Sequence, residues 1–172
     1  MQRLKTRAQF QAAMSGGVVS RTAHFALHRL VLEGAQAAAE PPSSGPGSLP
    51  SVQGPQALFA VPGQPELTVW LGPLVPKRWA KRSVTRHAIK RQIYAVGQAY
   101  ASQLQGLPKA AYVVRLKSGF DPKQFVSACS EPLKAAVRKE MQQLFGYAVR
   151  KGGAAPERHS AAPQPAAPES VA

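Results

Sequence analysis

The sequence predicts an α+β fold: a two-layer α/β sandwich in the order αβββαβα, with one mixed sheet and a basic central helix. Three observations carry the prediction. In HFALHRLVL, residues 24–32, side chains alternate between two partly apolar faces, and AAYVVRL at 110–116 is a near-continuous apolar run; both are strand patterns. Ile89, Ile93, Val96, Tyr100 and Leu104 recur at spacings of three and four, which makes one helical stripe. Helical and extended segments follow one another as helix, strands, helix, strand, helix, with no internal repeat, so helices must pack on a single sheet.

The first helix is predicted over 4–15. Thr6 can cap it, Gly16-Gly17 can end it, and Phe10, Ala13 and Met14 share a face. Residues 18–32 read as extended, with Phe25, Leu27, Arg29 and Val31 on one side and His24, Ala26, His28, Leu30 and Leu32 on the other. The next apolar run, 57–61, is a strand or a loop anchor. LTVWLGPLV at 67–75 reads as a strand, and Pro73, which lacks an N–H, requires an edge or a bulge there. The strongest helix spans 83–104. After the 110–116 strand, Asp121-Pro122 can open a short helix, Asp as cap and Pro in the first turn. Pro132 separates it from a longer helix with Leu133, Ala136, Val137, Met141 and Leu144 as its stripe.

The domain is expected over 1–150. It is interrupted at about 34–66 by a Pro/Gly/Ala-rich insertion too poor in apolar residues to offset chain entropy, and followed by an Ala/Pro-rich tail, 151–172, expected to be disordered. Cys129 is the only cysteine, which excludes an intrachain disulfide and suits a reducing compartment. MQRLKTRAQF has no apolar core of a secretory signal, and no run is long enough to span a membrane; a cytoplasmic protein with no membrane partner is expected.

Charge points to the partner. With 22 Lys and Arg against 8 Asp and Glu, the net charge is +14, the footprint of a protein that binds a polyanion. No acid precedes Glu33 and none lies between Glu66 and Asp121. Within that second span lies PKRWAKRSVTRHAIKRQIYAV, residues 76–96. With Ile89 at the centre of the buried stripe, His87, Lys90, Arg91 and Tyr94 fan across the other side at about 100° per residue, and Arg86 sits at the border. Lys77, Arg78, Lys81 and Arg82 occupy the turn before the helix. These cations crowd the end of the helix whose dipole disfavours positive charge, and no acid at i±4 offsets Arg86, Lys90 or Arg91. An external anion supplies the compensation. Arg can fork onto phosphate oxygens, while Lys acts as a mobile point charge.

The pattern K-R-x-A-K-R-x-V-x-R-x-x-I-K-R, from Lys77 to Arg91, resembles the signature helix of the bacterial ribonuclease P protein component, in its proteobacterial form. The family core R-N-R-x-K-R is here RHAIKR, with His87 for Asn and Ala88 for Arg; Tyr94 and Ala95 stand where the family often has Arg-Glu. Flanking features fit in order: LKTRAQF at the start, HFAL, Leu71-Gly72, the YVV of 112–114 and Leu144-Phe145. The resemblance covers most of 1–150 apart from the insertion, which is longer than the family leads one to expect.

The resemblance implies the protein subunit of a ribonucleoprotein that cleaves the 5′ leader from precursor tRNA. The catalytic RNA carries the active site and its divalent metal, Mg, so the protein itself is expected to contribute no catalytic residue, metal site or cofactor. Its implied partners are the catalytic RNA and precursor tRNA, with no obligatory protein partner. Lys77, Arg78, Lys81, Arg82, Arg86, His87, Lys90 and Arg91 become candidate RNA contacts. Phe10, Phe25, His28 and Tyr94 become candidates for a leader cleft, where aromatic faces can stack unpaired bases; core packing is the other role open to Phe10 and Phe25. His24, His28, His87 and His159 have no metal-ligand spacing, and the acids are scattered. A ribosomal or other structural RNA-binding protein is the alternative, and a small nuclease or a DNA-binding module would share the basic helix.

Overall fold

The structure is a computed structural model; it describes residues 1–32, 58–59, 69–125, 127 and 130–151. The stretch expected to be extended at 18–32 divides into two antiparallel strands, β2 (Val18–Arg21) and β3 (Phe25–Val31). The turn between them is closed by Thr22 N–H donating to the Phe25 carbonyl at 2.9 Å. Before them come a two-residue strand, β1 (Gln2–Arg3), and helix α1 (Arg7–Ser15). Thr6 caps α1 as predicted, and the cap is reciprocal. Gln9 N–H donates to Thr6 Oγ1, and Thr6 N–H donates to Gln9 Oε1, satisfying two N-terminal donors at once.

Strand β4 (Val69–Leu74), helix α2 (Ser83–Ala99), the short α3 (Ala101–Gln105), strand β5 (Ala110–Leu116) and helix α4 (Glu131–Lys151) complete the order. The predicted α+β class and mixed sheet are present. The expected order αβββαβα is there too, with β1 added and the long central helix broken at Tyr100. The five strands lie in the order β1-β4-β5-β3-β2, β1 and β5 parallel to β4 and the rest antiparallel. Pro73 meets its edge requirement locally. β1 pairs only with Trp70 and Leu71, so beyond that point β4 has no outer neighbour among the described residues.

The sheet is covered on both faces, which departs from a strict two-layer sandwich. Phe25, Leu27, Leu71, Tyr112, Val114 and Leu116 pack under α2 and α4, against Ile89, Ile93, Leu104, Val137, Met141 and Phe145. The opposite face carries Trp70, Ala111 and Val113, with Leu4, Ala13 and half-buried Phe10 of the N-terminal segment upon it. Alternation had predicted two partly apolar faces on β3; α1 is the element that covers the second.

Two expectations are corrected. No helix starts at Asp121-Pro122. Asp121 caps a single turn instead, accepting from Lys123 N–H on its side chain (2.9 Å) and from Phe125 N–H on its carbonyl (3.0 Å). Pro132 separates nothing, because α4 begins at Glu131 and Pro132 lies in its first turn, where no intrahelical N–H is needed. Most of the 34–66 insertion, the tail from 152, Cys129 and His159 lie outside the described residues. Within the insertion, Leu58 and Phe59 are described and are not loose. Phe59 is buried edge-on against Trp70, with centroids 5.7 Å apart, and Gln9 Nε2 donates to the Leu58 carbonyl at 2.8 Å. Of the apolar 57–61 run, Leu58 and Phe59 are described, and these two anchor to the α1 face.

Candidate nucleic-acid interface

Helix α2 has no side-chain cap and no acid in its first turn. Its start is held from inside: Arg86 Nη1 donates to the carbonyls of Ala80 (2.9 Å) and Lys81 (2.7 Å). The guanidinium thus reaches back and fixes the preceding turn, which is itself closed by Trp79 and Ala80 N–H donating to the Pro76 carbonyl. Lys77, Arg78, Lys81 and Arg82 are exposed on this turn. The local cause is plain: buried Val75 and Ala80 anchor both ends, so the cations between and after them are turned outward.

One helical turn further, His87 and Arg91 are exposed and Lys90 is partly so. Together with Arg3 and Tyr94 they line an open groove between the N-terminus and α2. Arg3 lies over the Tyr94 ring at 4.3 Å, a cation–π contact. Partial burial pushes the Tyr94 hydroxyl pKa up, and the nearby Arg3 charge works against that. Among the described residues, Glu131–Lys134 (2.6 Å) is an ion pair and His24 is hydrogen-bonded to Glu140 (2.6 Å), and neither contact involves the predicted contact cations. No described carboxylate lies within ion-pair distance of the basic strip.

The cleft candidates separate. Phe25 is 0% exposed and belongs to the α2/α4 core, with its ring 6.0 Å from Phe120. It has no surface to offer a ligand, because β3 points its odd-numbered side chains away from α1. Tyr94 sits with the basic strip, on the opposite side of the sheet from Phe10 and His28. Phe10 and His28 do share a face. The Phe10 ring lies over Gly72, where a Cβ would come within 2.5 Å of its edge.

Register shows what lies beside them. Gly72, Val113 and His28 form one cross-strand row, and Leu74, Arg115, Ala26 and Arg21 form the next on the same face. Phe10 and Met14 of α1 and His28 of β3 thus lie on the same side of the sheet as two guanidinium-bearing residues, Arg21 and Arg115. Sequence reasoning missed these two and Arg3. The alternation in AAYVVRL puts Arg115 on the face of Val113, but only strand pairing reveals that this face meets Phe10 and His28.

His28 is 9% exposed, and its Nδ1 lies 3.3 Å from the Met14 carbonyl. Burial lowers its pKa below the usual 6.5; the hydrogen bond to Met14 opposes this, and Arg115 and Arg21 add to the lowering. The unfolded chain therefore takes up a proton near pH 6.5 that the folded chain resists. Both states are neutral at His28 above that pH, and stability is lost as pH falls below it. His28→Gln is expected to lose less stability than the parent between about pH 7.5 and 5.5 in urea denaturation. Equal losses in the two proteins would place the acid sensitivity elsewhere.

Among the described residues no three His, Cys, Asp or Glu side chains gather as a metal site, and no helix is long and apolar enough to cross a membrane. The Ribonuclease P family profile matches residues 1–148. The chain is 35% identical over 98 residues to the ribonuclease P protein component of Bordetella avium, covering 55% of this chain and 75% of that one. It is 31% identical over 96 residues to the same component of Burkholderia mallei, covering 55% and 68%. In fold it is similar to the Staphylococcus aureus RNase P protein, with a TM-score of 0.51 and 15% identity over 86% of this chain and 95% of that one. The matched span takes in the sheet, the basic strip and nearly all of α4, and the chain belongs to the Ribonuclease P family.

Proposed function

We propose that this chain is the protein subunit of a cytoplasmic ribonuclease P ribonucleoprotein and supports endonucleolytic 5′ maturation of tRNA. The cations of 77–91 bind the backbone of the catalytic RNA. The face shared by Phe10, His28, Arg21 and Arg115 takes the unpaired 5′ leader of precursor tRNA. The observation that carries the proposal is the basic strip: its cations are exposed or partly so, its turn is pinned from within by Arg86, and none of them forms an ion pair with a described carboxylate. Phosphates of the catalytic RNA positioned there are held by charge, with no sequence readout. Cleavage belongs to the RNA subunit and its magnesium ions; the protein's share is to place substrate and RNA against each other and to neutralise phosphate repulsion.

The test is cleavage of a precursor tRNA by a bacterial ribonuclease P RNA at low magnesium. Adding this protein is expected to restore 5′ maturation that the RNA alone performs poorly there. Binding to that RNA should weaken with salt at a log–log slope of about −4 to −7, for roughly six to eight neutralised phosphates. No stimulation together with a flat salt response sinks the proposal. Leader removal by the protein without any RNA subunit would replace it with a protein nuclease.

A further inference from the structure

A second groove lies between the turn before α2 and the segment after β5, on the face of the sheet opposite α1. Buried Ile89 and Leu133 form its floor, and half-buried Phe120 and Phe125 stand at one side. Trp79 stands at the other, 39% exposed, with exposed Arg78, Lys81 and Arg82 around the mouth. The aromatic wall is braced. Phe120 meets Phe125 edge-on at 5.4 Å and stacks on His24 at 4.1 Å, and His24 is held by Glu140 through its backbone N–H (3.0 Å) and Nδ1 (2.6 Å). The turn that presents Trp79 is fixed by its bonds to Pro76 and by the Arg86 guanidinium.

A large indole on a solvated turn is an unusual choice where folding alone is served, since a polar residue would occupy that place without exposing apolar area. Here it borders an apolar slot, with the Arg78 guanidinium 5.3 Å from its ring centroid. Aromatic faces beside a cationic rim are what a nucleotide requires: a π-surface for the base and charge for its phosphates. Resting on the RNA-binding role proposed above, we infer that this groove takes an unpaired nucleobase of the partner RNA, stacked on Trp79, with the adjoining phosphates on Arg78, Lys81 and Arg82. The basic strip of α2 then continues into a site that grips single-stranded RNA by its base as well as its backbone.

The chain has two tryptophans, and Trp70 is 6% exposed beneath Phe59, so ligand-dependent emission reports Trp79. The full-length protein is titrated with a single-stranded RNA oligonucleotide, with an abasic strand of equal length, and with ribonuclease P RNA. Expected results are quenching by the intact oligonucleotide and by the catalytic RNA, and little quenching by the abasic strand. Trp79→Ala should bind the oligonucleotide about tenfold more weakly, and Trp79→Phe should keep most of the affinity. An unchanged melting temperature in both variants separates this loss from unfolding.

Equal quenching by the abasic strand, or unaltered affinity in Trp79→Ala, overturns the base site while leaving the RNA-binding role intact. Quenching that grows with protein concentration alone assigns the groove to self-association and overturns it as well. Failure of the parent protein to bind any of the RNAs removes the proposed function and the groove's role together.

Discussion

Replacing Lys90 and Arg91 together by alanine is expected to weaken binding to ribonuclease P RNA by about a hundredfold near 0.1 M salt. The estimate takes about 1.4 kcal/mol for each phosphate contact, the low end for charged hydrogen bonds because both groups face solvent. The log–log salt slope should fall in magnitude by about 1.4–1.8, since each lost phosphate contact removes about 0.7–0.9. Folding should be almost untouched. Neither residue has a carboxylate partner among the described residues, and Arg91 is exposed. Arg86 is the contrasting case. Its Nη1 holds two carbonyls of the preceding turn, so Arg86→Ala should lower both the melting temperature and the affinity. The structure thus gives Arg86, placed by the sequence at the border of the two faces, a structural role that Arg91 lacks. Filter binding across a salt series, with thermal unfolding of the same variants, checks this. A double variant that binds as the parent does, or that melts early, contradicts the assignment.

The second large effect is expected at Gly16, where α1 ends against β3. A Cβ there would run into the Arg29 carbonyl oxygen and stand 2.6 Å from Leu30 Cα. Both obstacles are backbone, so no side chain can swing aside. The next residue, Gly17, has φ of 94°, a region that side chains rarely adopt, and its carbonyl accepts from Arg29 N–H at 3.0 Å. Gly16→Ala must therefore lift the C-terminal end of α1 from the sheet, at a cost of about 3 kcal/mol, the upper end for overpacking. That corresponds to roughly 10 °C in melting temperature for a domain of this size. Because Met14 and Phe10 ride on α1 beside His28, binding of a 5′-leader oligonucleotide should weaken with it. Binding to the basic strip, on the other side of the sheet, should survive at a temperature where the variant is folded. A variant as stable as the parent would show that α1 is not clamped here.

Much of the molecule was legible before any coordinates. Thr6 as a cap, the Ile89-to-Leu104 stripe and the strand at 110–116 are all set by chemistry within a few residues, and each appears where expected. The same holds for the outward basic strip, because a buried stripe on α2 dictates which side chains remain outside. Errors arose where local signals were true but insufficient. Asp121-Pro122 makes a good first turn, yet a single hydrogen-bonded turn fixes several dihedrals for few bonds, and no helix is formed over 121–125. Phe25 and His28 lie three apart on one strand, and the pleat alone put them on opposite faces. Their separate fates still depended on which helix covered which face.

The sequence by itself determined the sign of the field, the identity of the basic helix, and the family to which both belong. Tertiary structure alone decided that β1 runs beside β4 and brings Arg3 against Tyr94, and that Arg21 and Arg115 flank His28. It alone decided that Trp79, Phe120 and Phe125 line one groove. The physical reason is range: caps, stripes and charge runs depend on neighbours within a turn or two, whereas strand order and register bring together residues tens of positions apart. No local preference encodes those meetings.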